Sequence, residues 1–259
     1  LLEEASSLAG RGVREFVLTG VNLGEYSNDG KDITEVIDAL GHVEGVSRIR
    51  ISSIEPTTIP EALLERMANP GHPLLPYLHI PLQSGCDLTL TRMRRQYEVN
   101  EVIDFIDRAV AFVPNLCVGT DLMVGFPGET EDDFETTCRI FLEHPFAYCH
   151  VFPFSERDGT PAARMEDQVP VPERIRRSAH LRRLSAAKRY EFDELQVGRT
   201  AKVLFENPRH GRWSGYTENY VRVAVEQDSR HDLTSRLAKV RLLRTAADYL
   251  EADIVEILD

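Results

Sequence analysis

From "REFVLTG" to "AYCHVFPFS" the chain alternates β-rich runs with amphipathic segments, and this alternation restricts the fold more than any other feature. "REFVLTG" leads to the helical pattern around "ITEVIDAL", "SRIRISSIEP" to "PEALLERMA", "YLHIPLQSG" to "VNEVIDFIDRAVAFV", and "LCVGTDLMVGFPG" to "TEDDFETTCRIFLE", before "AYCHVFPFS" closes the series. Five strands with intervening helices imply right-handed βαβ connections and a parallel sheet or barrel, an α/β architecture. After about residue 195 the rhythm changes. "TAKVLF", "YVRVAVE", "LAKVRLL" and "DIVEIL" are short alternating strands without long helices between them, which predicts a small closed β-barrel.

With 259 residues and 42% hydrophobic side chains, the chain can bury one large core plus that satellite. No apolar run reaches the roughly 18 to 20 residues that a membrane helix needs. The start, "LLEEASSLAGRG", lacks the pattern of a signal peptide and reads as the amphipathic helix of a unit whose first strand lies upstream, so a longer parent protein is expected. Cys86, Cys117, Cys138 and Cys149 show no CxxC or CxxxC spacing, so neither a zinc site nor a cluster loop is legible, and a reducing cytoplasmic setting is expected.

The net charge of −12 argues against bulk attraction to nucleic acid, but it is unevenly spread. Residues 1–163 carry 12 Lys+Arg against 26 Asp+Glu, residues 164–195 carry 8 against 6, and residues 196–259 balance at 10 each. The middle stretch, "ERIRRSAHLRRLSAAKRYEF", predicts a basic helix starting after Pro172, with Ile175, Leu181, Leu184 and Phe192 on its inner side. Its arginines suit either a solvated face or phosphate contacts.

Parallel α/β folds collect chemistry at the carboxyl ends of their strands. Those ends are polar here: Thr19-Gly20-Val21-Asn22, Ser52-Ser53-Ile54-Glu55, Gln83-Ser84-Gly85, Asp121 leading to Gly125, and Phe152 to Ser155. Asp121 stands out because a carboxylate in a strand covered on both faces needs a partner or an opening. Glu55 and Asp121 could accept from ligand hydroxyls or an amino group, Ser53, Gln83 and Asn22 could donate or accept, and Gly20 and Gly85 would let backbone approach a ligand. After Asp121, "FPGETEDD" predicts a βα turn and a helix capped by Thr130 and Asp133. No P-loop, HExxH or Ser-His-Asp order is present.

Taken in order, "LTGVNLGEY", "RIRISSIEP", "LHIPLQSGCDLTLTRMRRQY", "TDLMVGFPGET" and "VFPFSERDGTPA" resemble the motifs of the radical S-adenosylmethionine (SAM) methylthiotransferases. The tail "GRTAKVLFE…GYTENYVRV" resembles the TRAM barrel that follows the radical-SAM barrel in that family. The resemblance implies a partial parallel (βα) radical-SAM barrel over residues 1–163, a basic linker helix over 164–195, and an RNA-binding TRAM-like β-barrel over 196–259. "TGVNLGEY", "RISSIEP" and "GYTENYVRV" look most like the enzymes acting on threonylcarbamoyladenosine in tRNA. The isopentenyladenosine and ribosomal-protein methylthiotransferases are the alternatives.

The resemblance also implies SAM and [4Fe-4S] clusters as cofactors, tRNA as partner, and an electron donor and a sulfur source for the parent enzyme. The family's CxxxCxxC loop would precede Leu1, so no cluster ligand is expected in this chain. By position in the motifs, Thr19, Gly20 and Asn22 fall near the amino-acid end of SAM. Ser53, Glu55, Gln83, Arg94 and Asp121 fall around its carboxylate and ribose, and Phe126 and Phe152 beside its adenine. In the terminal barrel, Arg199, Lys202, Arg212, Trp213, Tyr216 and Tyr220 are the candidate RNA contacts, with filling of the barrel core as the competing role for Trp213 and Tyr220. Two other classes stay open: an RNA-binding module without chemistry, and a parallel-barrel hydrolase or isomerase using Glu55 and Asp121 as an acid-base pair.

Overall fold

The computed structural model describes residues 1–226 and 232–258. The expected strands form as β1 (Glu15–Leu18), β2 (Arg48–Ile51), β3 (Tyr77–His79), β4 (Cys117–Val124) and β5 (Tyr148–Pro153), all parallel and neighbouring in chain order. The helices between them are α2 (Ile33–Gly41), α3 (Ala62–Ala68), α4 (Asp87–Arg92), α5 (Val99–Phe112) and α6 (Glu131–Glu143), with α1 (Leu2–Gly10) preceding β1. Thr130 and Asp133 cap α6 reciprocally, as their spacing predicts, and Asp32 with Glu35 and Glu98 with Glu101 form the same box at α2 and α5. The short helix α4, inside "DLTLTRMRRQY", was not anticipated.

The sheet has a seam. Between β2 and β3 regular pairing gives way to single bridges, Ile49 with Leu74 and Ser53 with His79, supported by an Ile54 N–H donating to the His79 carbonyl at 3.1 Å. Pro73 and Pro76 precede the three-residue β3 and lack the N–H groups that a longer ladder would use.

Alternation along the strands separates two faces. Ile49, Ile51, Leu78, Ile80, Val118, Leu122, Val124 and Val151 are buried in the core beneath the helices. The opposite parity carries Glu15, Val17, Arg48, Arg50, Tyr77, His79, Asp121, Tyr148, His150 and Phe152 on the inner face.

The basic segment forms α7 (Val171–Glu194), which packs along β5. Its inward side is the expected one at Leu181, Leu184 and Phe192 and departs from it at Ile175. Leu181 is buried, but Ile175 is 61% exposed, while Arg174 and Arg177 are buried. Arg177 donates to Glu129 at 2.9 Å and to Glu131 at 3.1 Å, and Arg174 donates to Glu156 at 2.8 Å and to the Val169 carbonyl at 2.6 Å. Charge pairing with the β4–α6 turn therefore fixes this helix where apolar periodicity alone predicted Ile175. Gly125 makes the fit possible: a Cβ there would strike the Arg174 side chain.

The terminal unit is a closed barrel of β6 (Thr200–Phe205), β7 (Arg212–Tyr216), β8 (Arg222–Glu226), β9 (Leu237–Thr245) and β10 (Leu250–Ile257), ordered β10-β8-β7-β6-β9. Four of these strands were expected. The fifth, β7, contains "WSGY", weak in strand formers, and is held by antiparallel pairing to β6 and β8. Gly215 is required there, because a Cβ would meet the Leu204 carbonyl of β6. Among the described residues no helix is long and apolar enough to cross a membrane.

Candidate functional site

The inner face of the parallel sheet is layered. At the amino ends of the strands, Glu15 receives Arg48 Nε at 2.5 Å and Arg50 Nε at 2.8 Å. The two guanidinium groups then reach across to main-chain carbonyls of the terminal barrel. Arg48 donates to Lys202, Tyr216 and Thr217 at 2.9–3.1 Å, and Arg50 to Thr217 at 2.6 Å and Glu218 at 3.0 Å. Burial opposes ionisation of Glu15, but Arg50 and Arg48 together outweigh it and hold the carboxyl below its ordinary value. Aromatic rings complete the layer: Tyr77 lies 4.6 Å from Tyr220, which stacks on Tyr216 at 4.7 Å, and the hydroxyls of Tyr77 and Tyr148 are 2.7 Å apart. Burial pushes Tyr77 up to about 12, so the pair shares a neutral hydrogen bond.

One step toward the carboxyl ends, β3, β4 and β5 each contribute one polar side chain. His79 Nε2 lies 2.9 Å from Asp121 Oδ1, and the His150 ring lies 5.3 Å from that of His79. The ligand atoms of the three fall within 4.8 Å of one another, a donor set chemically suited to a divalent transition metal. Burial, and then the neighbouring His79, lower the His150 pKa, which favours its neutral ring. Together with Val17, Ser52, Ser53 and Arg50 these groups line a cavity of about 450 Å³, closed on one side by Glu206, Tyr216 and Tyr220 of the barrel.

Ser53 and Asp121 thus share one cavity. Asp121 faces the inner side as expected, and the partner that a carboxylate in this strand needs is His79. Gln83 lies in a bridge beside Leu122, its backbone bonded to Asp121 and Met123. Arg94 is exposed in a left-handed turn, and the adjacent Arg95 turns inward to Glu55 at 2.9 Å. Glu55 and Asp121 are therefore held by different partners, Arg95 and His79, which weakens their reading as one acid-base pair. Thr19 and Gly20 are exposed beyond β1, and Asn22 accepts from Thr58 at 3.0 Å, tying two strand-end loops together. Phe152 is exposed, whereas Phe126 is buried edge-on against Phe154 at 5.2 Å and offers no free ring face. Gly85 leaves room for α6, since a Cβ would press on Thr137, so its role is packing and not ligand approach.

The candidate RNA residues divide as well. Trp213 is 4% exposed in the barrel core, which removes it as a surface contact, and its Nε1 has no partner. Tyr220 packs between Tyr77 and Tyr216 beneath Arg50. Arg199 donates to Asn115, Arg212 lies over the Tyr249 ring at 5.3 Å, and Lys202 is exposed.

His79, His150, Tyr77 and Arg50 are among the inner-face residues that sequence reasoning passed over, with Glu15, Arg48 and Tyr148. Parity was the available signal: in "YLHI", "YCHVF" and "RIRI" one register is apolar and the other is polar or aromatic. The cysteines do not form a cluster site. Burial pushes Cys117 and Cys149 up to about 12 and Cys138 to about 11, and Cys86 donates to Asp133 at 3.0 Å. A [4Fe-4S] cluster needs a set of converging thiolates, which these residues do not supply.

A profile of the radical SAM superfamily matches residues 1–141. The threonylcarbamoyladenosine tRNA methylthiotransferase of Bacillus subtilis is 37% identical over 100% of this chain and 58% of its own length, and that of Thermotoga maritima is 36% identical over 85% and 51%. The tRNA-2-methylthio-N(6)-dimethylallyladenosine synthase of Kineococcus radiotolerans is 35% identical over 98% of this chain and 52% of its own length. The chain thus spans about half the length of these curated relatives. A radical SAM methyltransferase from Kitasatospora setae, solved with cobalamin and a [4Fe-4S] cluster, shares the fold with a TM-score of 0.51 at 14% identity, covering 62% of this chain and 32% of that one. Superfamily match and parallel inner face agree: the chain belongs to the radical SAM superfamily.

Proposed function

We propose that this chain is the SAM-binding and RNA-docking portion of an enzyme that adds a methylthio group to threonylcarbamoyladenosine in tRNA. The observation carrying this reading is that similarity to the Bacillus subtilis enzyme covers 100% of the chain, sheet and barrel alike. SAM is the cofactor of the superfamily, and the inner face offers suitable groups. Asp121 and Ser53 in the cavity can accept from ribose hydroxyls, Glu55 and Gln83 lie at the strand ends outside it, and Phe152 offers an exposed ring for adenine. Thr19, Gly20 and Asn22 lie at the adjacent strand end, and His79 positions Asp121. When bound, SAM supplies the methyl group and the adenosyl moiety.

The electron donor and sulfur source act on the complete enzyme, and the setting is cytoplasmic. The dimethylallyladenosine reading is kept because a relative of that activity aligns over 98% of the chain. Mass spectrometry of tRNA nucleosides from a host lacking the gene decides between them. Loss of the methylthio derivative of threonylcarbamoyladenosine, restored by the complete gene, is expected. Loss of the dimethylallyladenosine derivative instead would transfer the assignment.

A further inference from the structure

Three neighbouring strands each bring one metal-ligating side chain to the same place on the inner face. His79 of β3, Asp121 of β4 and His150 of β5 hold their ligand atoms within 4.8 Å of one another. The strand register dictates this. Asp121 and His150 are register partners, so their side chains leave the sheet on the same face, one strand spacing apart. His79 pairs with Gly119, two residues before Asp121 on that face. Gly119 sets no side chain between them, and the Tyr148 ring fills the space its Cβ would take, so His79 Nε2 meets Asp121 Oδ1 at 2.9 Å.

A hydrogen bond between His79 and Asp121 accounts for two of the three groups. His150 is left over: its ring lies 5.3 Å from those of His79 and Tyr148, and it has no hydrogen-bond partner among the described residues. Arg50, which lines the same cavity, is committed to Glu15, Thr217 and Glu218, so the two histidines are left to meet the Asp121 charge. Cys149, beside His150, is buried in the core on the other face, which keeps thiolates out of the set.

We propose that His79, Asp121 and His150 bind one divalent transition-metal ion of the zinc class. Two imidazole nitrogens and one carboxylate oxygen are donors that such ions select, whereas magnesium and calcium call for oxygen alone. Metal bonds of about 2.0–2.2 Å set ligand atoms roughly 3–3.5 Å apart around one ion. The His79–Asp121 pair is close to that spacing, and the exposed His150 has freedom to turn its ring toward it. The His79 tautomer protonated at Nδ1 leaves Nε2 free for the ion. Asp121 uses only Oδ1 here, so Oδ2 stays available to the ribose hydroxyl proposed above. Three protein ligands leave a position open toward the cavity for water or an anionic oxygen. The site does not rest on the tRNA reading.

The test is titration of the whole 259-residue chain, without added iron or SAM, with Co2+ followed by visible absorption and with Zn2+ followed by calorimetry. One ion per chain is expected, with the cobalt bands of a nitrogen and oxygen site and no thiolate-to-cobalt charge transfer. His79→Ala and His150→Ala are each expected to abolish the cobalt bands and to weaken zinc binding about 100-fold, since losing even an outer partner of a metal ligand costs about 10–100-fold. His42→Ala/His210→Ala, at exposed positions elsewhere, is expected to change neither. His150 is exposed and makes no hydrogen bond, so His150→Ala reads the site even where metal-free melting shows that His79→Ala does not fold. Binding that survives His150→Ala, or that falls equally in the control pair, is adventitious and overturns the site. Thiolate charge transfer would move the ion to the cysteines and overturn it too, as would the lack of stoichiometric binding by the wild-type chain.

Discussion

The parallel sheet and the terminal barrel each contain five strands, and they use their inward sides in opposite ways. Strands β6–β10 close on themselves and fill the interior with Trp213, Val223, Val240, Leu242 and other apolar residues. Strands β1–β5 do not close, and their inner side carries arginine, histidine, carboxylate and tyrosine around an open volume. Closure removes strand edges and leaves nothing inside for a ligand, whereas an incomplete barrel leaves polar groups that must find partners. Those partners come partly from the other unit. The barrel's carbonyls satisfy Arg48 and Arg50, so the closed unit stabilises the polar lining of the open one.

The strongest perturbation of this contrast is Trp213→Ala. Emptying a core site of this size costs about 3–5 kcal/mol. Chemical unfolding is expected to show the loss in the barrel, with amide exchange in β4 and β5 much less affected. Equal loss in both units would mean that they unfold as one.

Arg177→Met is next, at about 3 kcal/mol near neutral pH, because it leaves the buried Glu129 without its cation. Burial already raises the Glu129 pKa against the pull of the Gly125 N–H and Arg177. A raised carboxyl favours the folded state below its unfolded value and loses that contribution as pH rises through the folded value. The variant should therefore recover stability relative to wild type as pH falls toward 4.5. A deficit independent of pH would place the cost in packing.

Glu15→Gln is expected to cost about 3 kcal/mol, comparable to Arg177→Met, since it leaves the buried Arg48 and Arg50 without their shared anion and turns an amide donor toward one of them. For wild type the sign follows from the lowered carboxyl: the contribution is complete above the ordinary value of 4.5 and disappears as pH falls through the folded value. Difference melting curves between wild type and Glu15→Gln should thus converge in acid.

Asp121→Asn should raise the SAM dissociation constant about tenfold, in line with loss of a charge-assisted hydrogen bond of about 1.5–3 kcal/mol, with a small change in melting temperature. Since His79 and Asp121 are hydrogen-bonded, His79→Ala in the Asp121→Asn background should add little. A large fall in melting temperature with unchanged SAM affinity would assign Asp121 to strand cohesion.

Strand and helix positions were legible because period-2 and period-3.6 patterns act locally, and the capping box of Thr130 and Asp133 read directly from its spacing. The β2–β3 seam was not, since the consequence of Pro73 and Pro76 depends on which neighbour the strand meets. Ile175 misled because apolar periodicity ignores ion pairs with a loop some 45 residues away, where Arg177 meets Glu129 and Glu131. At the site, Asp121 was visible as a carboxylate in an apolar run. His79 required knowing that β3 and β4 are adjacent and in phase. Trp213, Tyr216 and Tyr220 were read by residue type, and type alone does not tell which side of a strand faces inward.

The attachment of the barrel by Arg48 and Arg50 to main-chain oxygens of Lys202, Tyr216, Thr217 and Glu218 makes the joint largely indifferent to which side chains those positions carry. Any barrel with the same backbone path presents the same acceptors. The two units can therefore be treated as interchangeable parts: the barrel's outer surface can be rewritten, or a barrel with the same backbone path transplanted from a relative, without redesigning this fastening.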